Sequence, residues 1–125
     1  MAKKSIVAKD VYPTVGYPHA MRVGNTVYTV GLVGRTVDKK VPADFEGQCK
    51  LAWENMEKVM KAAGAKMEDI CSFNHYMTDA ANAPKAIGIR RSFFKDDARC
   101  GTLVIVKALA SAEILYEINA VAIIE

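Results

Sequence analysis

Phe45, Cys49, Ala52, Met56, Val59 and Ala63 recur at steps of three and four residues, the spacing that aligns one face of an α-helix about five turns long. Asp44 stands where an N-cap is wanted and Gly64 where a helix stops. On both sides of this helix the period falls to two. Met21 to Tyr28 reads as two strand pieces about a Gly24-Asn25 turn, the second continuing to Val33. Gly31 inside that piece weakens a strand unless a bulge or a close approach requires it. Ile70 to Met77 alternates, with Ile70, Ser72, Asn74 and Tyr76 on one face and Cys71, Phe73, His75 and Met77 on the other. A weaker helix is expected from Pro84 to about Phe94, then strands over 102–108 and 114–124. The order β-β-α-β-α-β-β gives the class α+β, a mostly antiparallel or mixed sheet with two helices on one face. The other face needs a cover, and a partner subunit is the economical one.

At 125 residues the chain fits one domain, 1–125, and its 51% hydrophobic content is ample for a packed core. The net charge of +3 is spread among interspersed Lys, Arg, Asp and Glu, so composition gives no nucleic-acid signature. The basic start, Met1-Ala2-Lys3-Lys4, lacks the apolar stretch of a signal peptide, and no apolar run is long enough to span a bilayer. Cys49, Cys71 and Cys100 are far apart and never form Cys-x-x-Cys, which argues against a disulfide framework or a structural zinc site. A soluble cytoplasmic protein, with no membrane or nucleic-acid partner, is expected.

Glu117 is the most informative residue for chemistry. Strand alternation sets it on a face with Leu115, Asn119, Val121 and Ile123. A carboxylate among such neighbours is costly unless paired, and burial raises its pKa toward the range useful to a general acid or base. The alternative is a strand-end Glu in a surface or interface ion pair; pattern alone leaves both open. His19 and His75 have no accompanying ligand spacing, so each is read as structural and no metal is expected. Cys100 lies beside Arg99, but no Cys-His signature supports a nucleophile. There is no Gly-rich phosphate loop.

Several segments, in order, resemble the reactive intermediate deaminase (Rid, RidA/YjgF-like) family over nearly the whole chain. They are Tyr17-Pro18-His19-Ala20-Met21-Arg22-Val23-Gly24-Asn25, Val27 to Gly31, Gln48 to Gly64 with Glu54-Asn55-Met56, Met67-Glu68-Asp69-Ile70, Tyr76-Met77-Thr78-Asp79, Phe93-Phe94 and Tyr116 to Ala122. The resemblance implies a chorismate-mutase-like homotrimer, with sheets around a central barrel, helices outside and sites in clefts between subunits. It implies hydrolysis of reactive enamine/imine intermediates of small-molecule metabolism, releasing ammonia and a 2-oxo acid, with no metal or organic cofactor. On it, Tyr17 walls the pocket, Gly31 lets backbone approach the ligand, and Glu117 positions or activates water.

One departure matters. The best-known members hold the substrate carboxylate with an Arg just before the next strand, and Gly101 occupies that position here, with Arg99 two residues earlier and Cys100 between. Glycine cannot supply the fork that suits Arg to carboxylates. The Asn often found early in the second helix is replaced near Ile87. Either Arg99 reaches the site from a rearranged loop, or the chain belongs to an Arg-lacking branch; a two-residue displacement turns a side chain elsewhere and favours the second. Asn74-His75 resembles an Asn-His pair of some pathway-specific relatives and implies a specialised substrate. The Arg-lacking reading also keeps alive a non-catalytic or regulatory metabolite-binding trimer, or a pathway-specific hydrolase of a substrate that is not an imino acid.

Overall fold

The computed structural model describes residues 2–125. Its strands are β1 (Lys3–Ile6), β2 (Ala20–Val23), β3 (Thr26–Thr29), β4 (Leu32–Val33), β5 (Ile70–Met77), β6 (Cys100–Ile105) and β7 (Tyr116–Ile123), with helices α1 (Phe45–Ala62) and α2 (Ala83–Arg91). They form one sheet in the order β1-β2-β3-β7-β5-β6, with β4 also paired to β7. Every pairing is antiparallel except β5 with β6, which run parallel across the α2 connection. The class is α+β with a mixed sheet, as the alternation of periods predicts.

The long helix forms where its apolar spacing puts it. Phe45, Cys49, Ala52, Trp53, Met56, Val59 and Met60 are buried along one side. Asp44 is extended at the N-cap, though its side chain caps nothing. Gly64 takes φ 80°, the left-handed stop that a side chain disfavours. Arg22 from β2 donates to the Ala63 carbonyl at 2.8 Å, a cation at the negative end of the helix that ties sheet to helix. Two buried polar residues of α1 hold the neighbouring loops. Gln48 donates to the Pro42 and Glu113 carbonyls and accepts from Leu115 N–H, while Asn55 donates to the Val33 and Arg35 carbonyls.

Trp53 is the centre of the core. It is fully buried, with the rings of Phe73 and Phe94 at 5.5 and 5.6 Å. Its indole N–H donates to the Tyr116 hydroxyl at 3.0 Å, and that hydroxyl lies 2.8 Å from His75 Nδ1. A polar chain of two hydrogen bonds thus runs from α1 through β7 to β5 inside the core.

The structure departs from the sequence expectations at element ends. β1 was not anticipated; it is short, mostly exposed and held by pairing to β2. The strand expected to run through Val33 breaks at Val30 and Gly31, because Ala120 N–H is taken by the Thr29 hydroxyl instead of a backbone carbonyl. In β5 a bulge between Ile70 and Ser72 puts Ile70 on the buried face with Phe73 and turns Cys71 outward. The second helix stops at Arg91 rather than near Phe94, because Phe93 and Phe94 turn in against Trp53. β6 covers Cys100–Ile105 and β7 starts at Tyr116, both shorter than the 102–108 and 114–124 expected.

Both helices lie on the face carrying Phe73, His75, Met77, Tyr116, Ile118 and Ala120. The opposite face, with Tyr28, Ser72, Asn74, Tyr76, Glu117, Asn119 and Val121, is half-buried or exposed.

Candidate functional site

Glu117 enters the structure on β7 between Val33 of β4 and Tyr76 of β5. Alternation turns it away from the helices, onto the open face. Its carboxylate lies over the strand break: a Cβ built at residue 31 would collide with Glu117 Oε2. Glycine at 31 therefore makes room for this side chain. Among the described residues the carboxylate has no hydrogen-bond or ion-pair partner, and desolvation raises its pKa above the ordinary carboxylate range.

Close by, Val33 N–H donates to the Tyr12 hydroxyl at 3.0 Å, and the Arg35 guanidinium lies over the Tyr12 ring at 5.3 Å. Burial raises the Tyr12 pKa; the Val33 hydrogen bond and Arg35 oppose that, and the charges of Glu117 and Tyr17 add to it. Tyr17 thus lies within electrostatic reach of the same hydroxyl as Glu117, on a turn where Gly16 takes φ 86° and the Thr14 hydroxyl bonds to the Tyr17 carbonyl. Its ring is 54% exposed, available to a ligand or to another subunit. Gly31→Ala should cut activity on an imine substrate roughly 10- to 100-fold by displacing the carboxylate. The flexible end of Glu117 can yield, so the unfolding temperature should move little; a large drop would instead mark Gly31 as a structural position.

Asn74 donates to Asn119 Oδ1 at 3.0 Å in the middle of the open face, on a shallow depression shared with Tyr28 and Val121. Cys100 is exposed at the start of the edge strand β6.

Arg99 and Gly101 lie elsewhere. Both line a cavity of about 210 Å3 between α2 and the β5–β6 edge, together with Phe73, His75, Arg90 and Leu103. A Cβ at 101 would collide with the Phe73 ring, so the aromatic ring fills the space where a longer side chain would start. Arg99 is spent on its own loop. It donates to the Asp96 and Ile70 carbonyls at 2.6 and 3.3 Å, lies 3.4 Å from Asp96 Oδ1, stacks on Phe94 at 3.9 Å, and its side chain is only 2% exposed. Pairing in the sheet sets Phe73 and Gly101 opposite each other on the helix-covered face. One chain therefore carries Glu117, Gly31 and Tyr17 on one side of the sheet and the Gly101 cavity on the other.

The cavity brings in two residues without a sequence signal for a site: Arg90 lies in a weakly patterned helix, and His75 has no ligand spacing around it. His75 is buried, and its pKa is lowered to about 4, mainly by desolvation and further by the nearby Arg90 charge. The sign follows directly. The unfolded chain protonates as pH falls through about 6.5, while the folded one holds His75 neutral until about 4. Stability present above that window is lost on acidification through it, by roughly 2 kcal/mol between pH 7 and 5. Urea denaturation at the two pH values should show that loss, and His75→Gln should flatten it.

A family model described as endoribonuclease L-PSP matches residues 7–124. A 2-iminobutanoate/2-iminopropanoate deaminase of Dermatophagoides farinae is 31% identical over 99 residues, 76% of this chain and 77% of that protein. A RutC family protein of Pyrococcus abyssi is 26% identical, covering 98% of each chain. The crystal structure of RidA from an Antarctic Psychrobacter species superposes with a TM-score of 0.92 at 26% identity, over 97% of this chain and 99% of that one. With the order of motifs, the mixed sheet under two helices and these matches in agreement, the chain belongs to the Rid (RidA/YjgF-like) family that the L-PSP model describes.

Proposed function

We propose that this protein is a hydrolytic deaminase of reactive enamine/imine intermediates, acting at sites between the subunits of a homotrimer. The observation that carries the reading is the Glu117 carboxylate, half-buried, without a partner among the described residues, and poised over the Gly31 backbone. An unpaired carboxylate with a raised pKa can take a proton from water near neutral pH. The water oxygen adds to the C=N carbon as Glu117 takes its proton. The nitrogen is protonated in turn, ammonia leaves, and the C–O bond becomes a carbonyl, so one imine and one water give one carbonyl compound and one ammonia. Every group needed for this is a side chain or water.

The trimer is supported by the division of the chain into two half-sites on opposite faces of the sheet, and by the uncovered face with its half-buried Tyr76, Asn119 and Val121. Around a threefold axis those faces would form the inner barrel, and the Glu117 half of one copy would meet the Gly101 half of the next. Tyr17 would wall that cleft, while Asn74 and Cys100 would sit near its floor and edge.

The second reading, a metabolite-binding trimer without turnover, is favoured by Gly101 alone. One assay separates the two. An amino-acid oxidase generates 2-iminobutanoate, semicarbazide competes for it, and semicarbazone is followed with and without the protein. Suppression of the semicarbazone by the protein supports the deaminase. Thermal stabilisation by 2-oxobutanoate without suppression would replace it with the binding trimer, and RNA cleavage by the same preparation would redirect the search to the chemistry in the family model's name.

A further inference from the structure

The two guanidinium groups of the α2 cavity are in opposite states. Each nitrogen of the Arg99 guanidinium donates a hydrogen bond, whereas Arg90 makes none among the described residues. The Arg90 side chain is only 16% exposed; among the described residues its Nε–H has no acceptor and its one ion pair is to Asp97 at 3.5 Å, a carboxylate that is 63% exposed and already shared with Arg91. A buried guanidinium so poorly answered is a standing demand for an anion. The Arg90 guanidinium also lies over the Phe73 ring at 5.3 Å, and that ring stands where it does because residue 101 is glycine.

His75 adds a second donor. The Tyr116 hydroxyl accepts from Trp53 and lies 2.8 Å from His75 Nδ1. A hydroxyl proton given to Nδ1 leaves the neutral ring's own proton on Nε2, a nitrogen with no partner among the described residues, on a ring that lines the cavity. Phe73, Leu103 and Ile87 complete it with apolar surface. Arg99 is already paired with Asp96, so Arg90 is the cation left to answer; with one imidazole and apolar walls in about 210 Å3 it matches a small monoanion with a short hydrocarbon part better than a dianionic phosphate.

We infer that this cavity is the subsite for the acidic end of the ligand, with the Arg90 guanidinium from α2 holding a carboxylate, His75 Nε2–H as second donor, and Asp97 as the resident anion that the ligand displaces. The inference deepens the deaminase reading and rests on it for the identity of the substrate, since it makes that substrate a 2-imino acid; the subsite itself is tested by binding alone.

The probes are 2-oxobutanoate, butanone, which lacks the carboxylate, and inorganic phosphate. Binding to the assembled protein is followed by titration and by the NMR signals of the His75 ring. Wild type should bind 2-oxobutanoate, with the His75 signals shifting, and bind butanone at least about tenfold more weakly. Arg90→Gln should weaken 2-oxobutanoate about tenfold or more, and Asp97→Asn should tighten it severalfold by removing the competing carboxylate. Opposite signs are the decisive feature, because a pair that merely braced the loop would move both variants the same way. Unchanged binding in Arg90→Gln, equal loss in both variants, no binding at all, or phosphate binding more tightly than 2-oxobutanoate would each overturn the inference. Arg90-dependent binding without semicarbazone suppression would leave the subsite standing and sink the deaminase reading; suppression indifferent to Arg90→Gln would do the reverse.

Discussion

Glu117→Gln should abolish most imine hydrolysis, lowering kcat/KM by about 100- to 10,000-fold, the range of a lost general base. The amide is nearly isosteric, so it still fits above Gly31, and the unfolding midpoint should change little. Any shift should be upward, since a partly desolvated carboxylate is replaced by a neutral group.

 The pH profile carries the second signature. A base must be ionised to act, and desolvation raises the Glu117 pKa, so the acid limb of kcat/KM should fall at a higher pH than for an ordinary glutamate near 4.3. That limb should vanish in Glu117→Gln. Full activity in the variant, or an unchanged acid limb on residual activity, would remove Glu117 from the proton transfer.

Trp53→Ala should be the most damaging single change to stability, on the order of 3–5 kcal/mol. The indole is fully buried, packs edge-on to Phe73 and Phe94, and supplies the hydrogen bond that orients the Tyr116 hydroxyl. Removing it opens a cavity beneath both helices and takes a partner from a buried phenol. Trp53→Phe keeps much of the volume and loses the N–H, so it should cost less, about 1–2 kcal/mol. Urea denaturation followed by far-UV circular dichroism, at one fixed protein concentration, measures both. Equal midpoints for Trp53→Ala and wild type would mean that the core does not depend on this ring.

The parts of the fold legible from sequence were those where one period rules a long segment. The spacing from Phe45 to Ala63 is satisfied by only one helix face, and Gly64 marks its end through backbone geometry alone. The parts that were not legible depend on partners distant in sequence. The break at Gly31 follows from the Thr29 hydroxyl meeting Ala120, ninety-one residues away, and from the space Glu117 needs. The bulge at Cys71 leaves the two-residue pattern of β5 intact on either side, so alternation alone places the wrong residues together. The candidate site divides in the same way. Glu117 stands out as a charge in an apolar alternation, a local signal. Arg90 has no such signal, because α2 is short and weakly amphipathic, and its importance comes from burial and from a missing acceptor. Gly101 shows in the sequence as a lost arginine, and only the Phe73 ring explains what stands there instead.

The line of contacts from Trp53 to Tyr116 to His75 gives the molecule a built-in optical probe. Trp53 is the single tryptophan of the chain, so all indole emission comes from one buried ring in hydrogen-bond contact with the phenol that touches His75. A change in the hydrogen bonding or charge of that imidazole alters the dipole seen by the indole two residues away along the relay. Filling the cavity therefore has a direct route to the emission intensity or wavelength, and occupancy can be followed without a label.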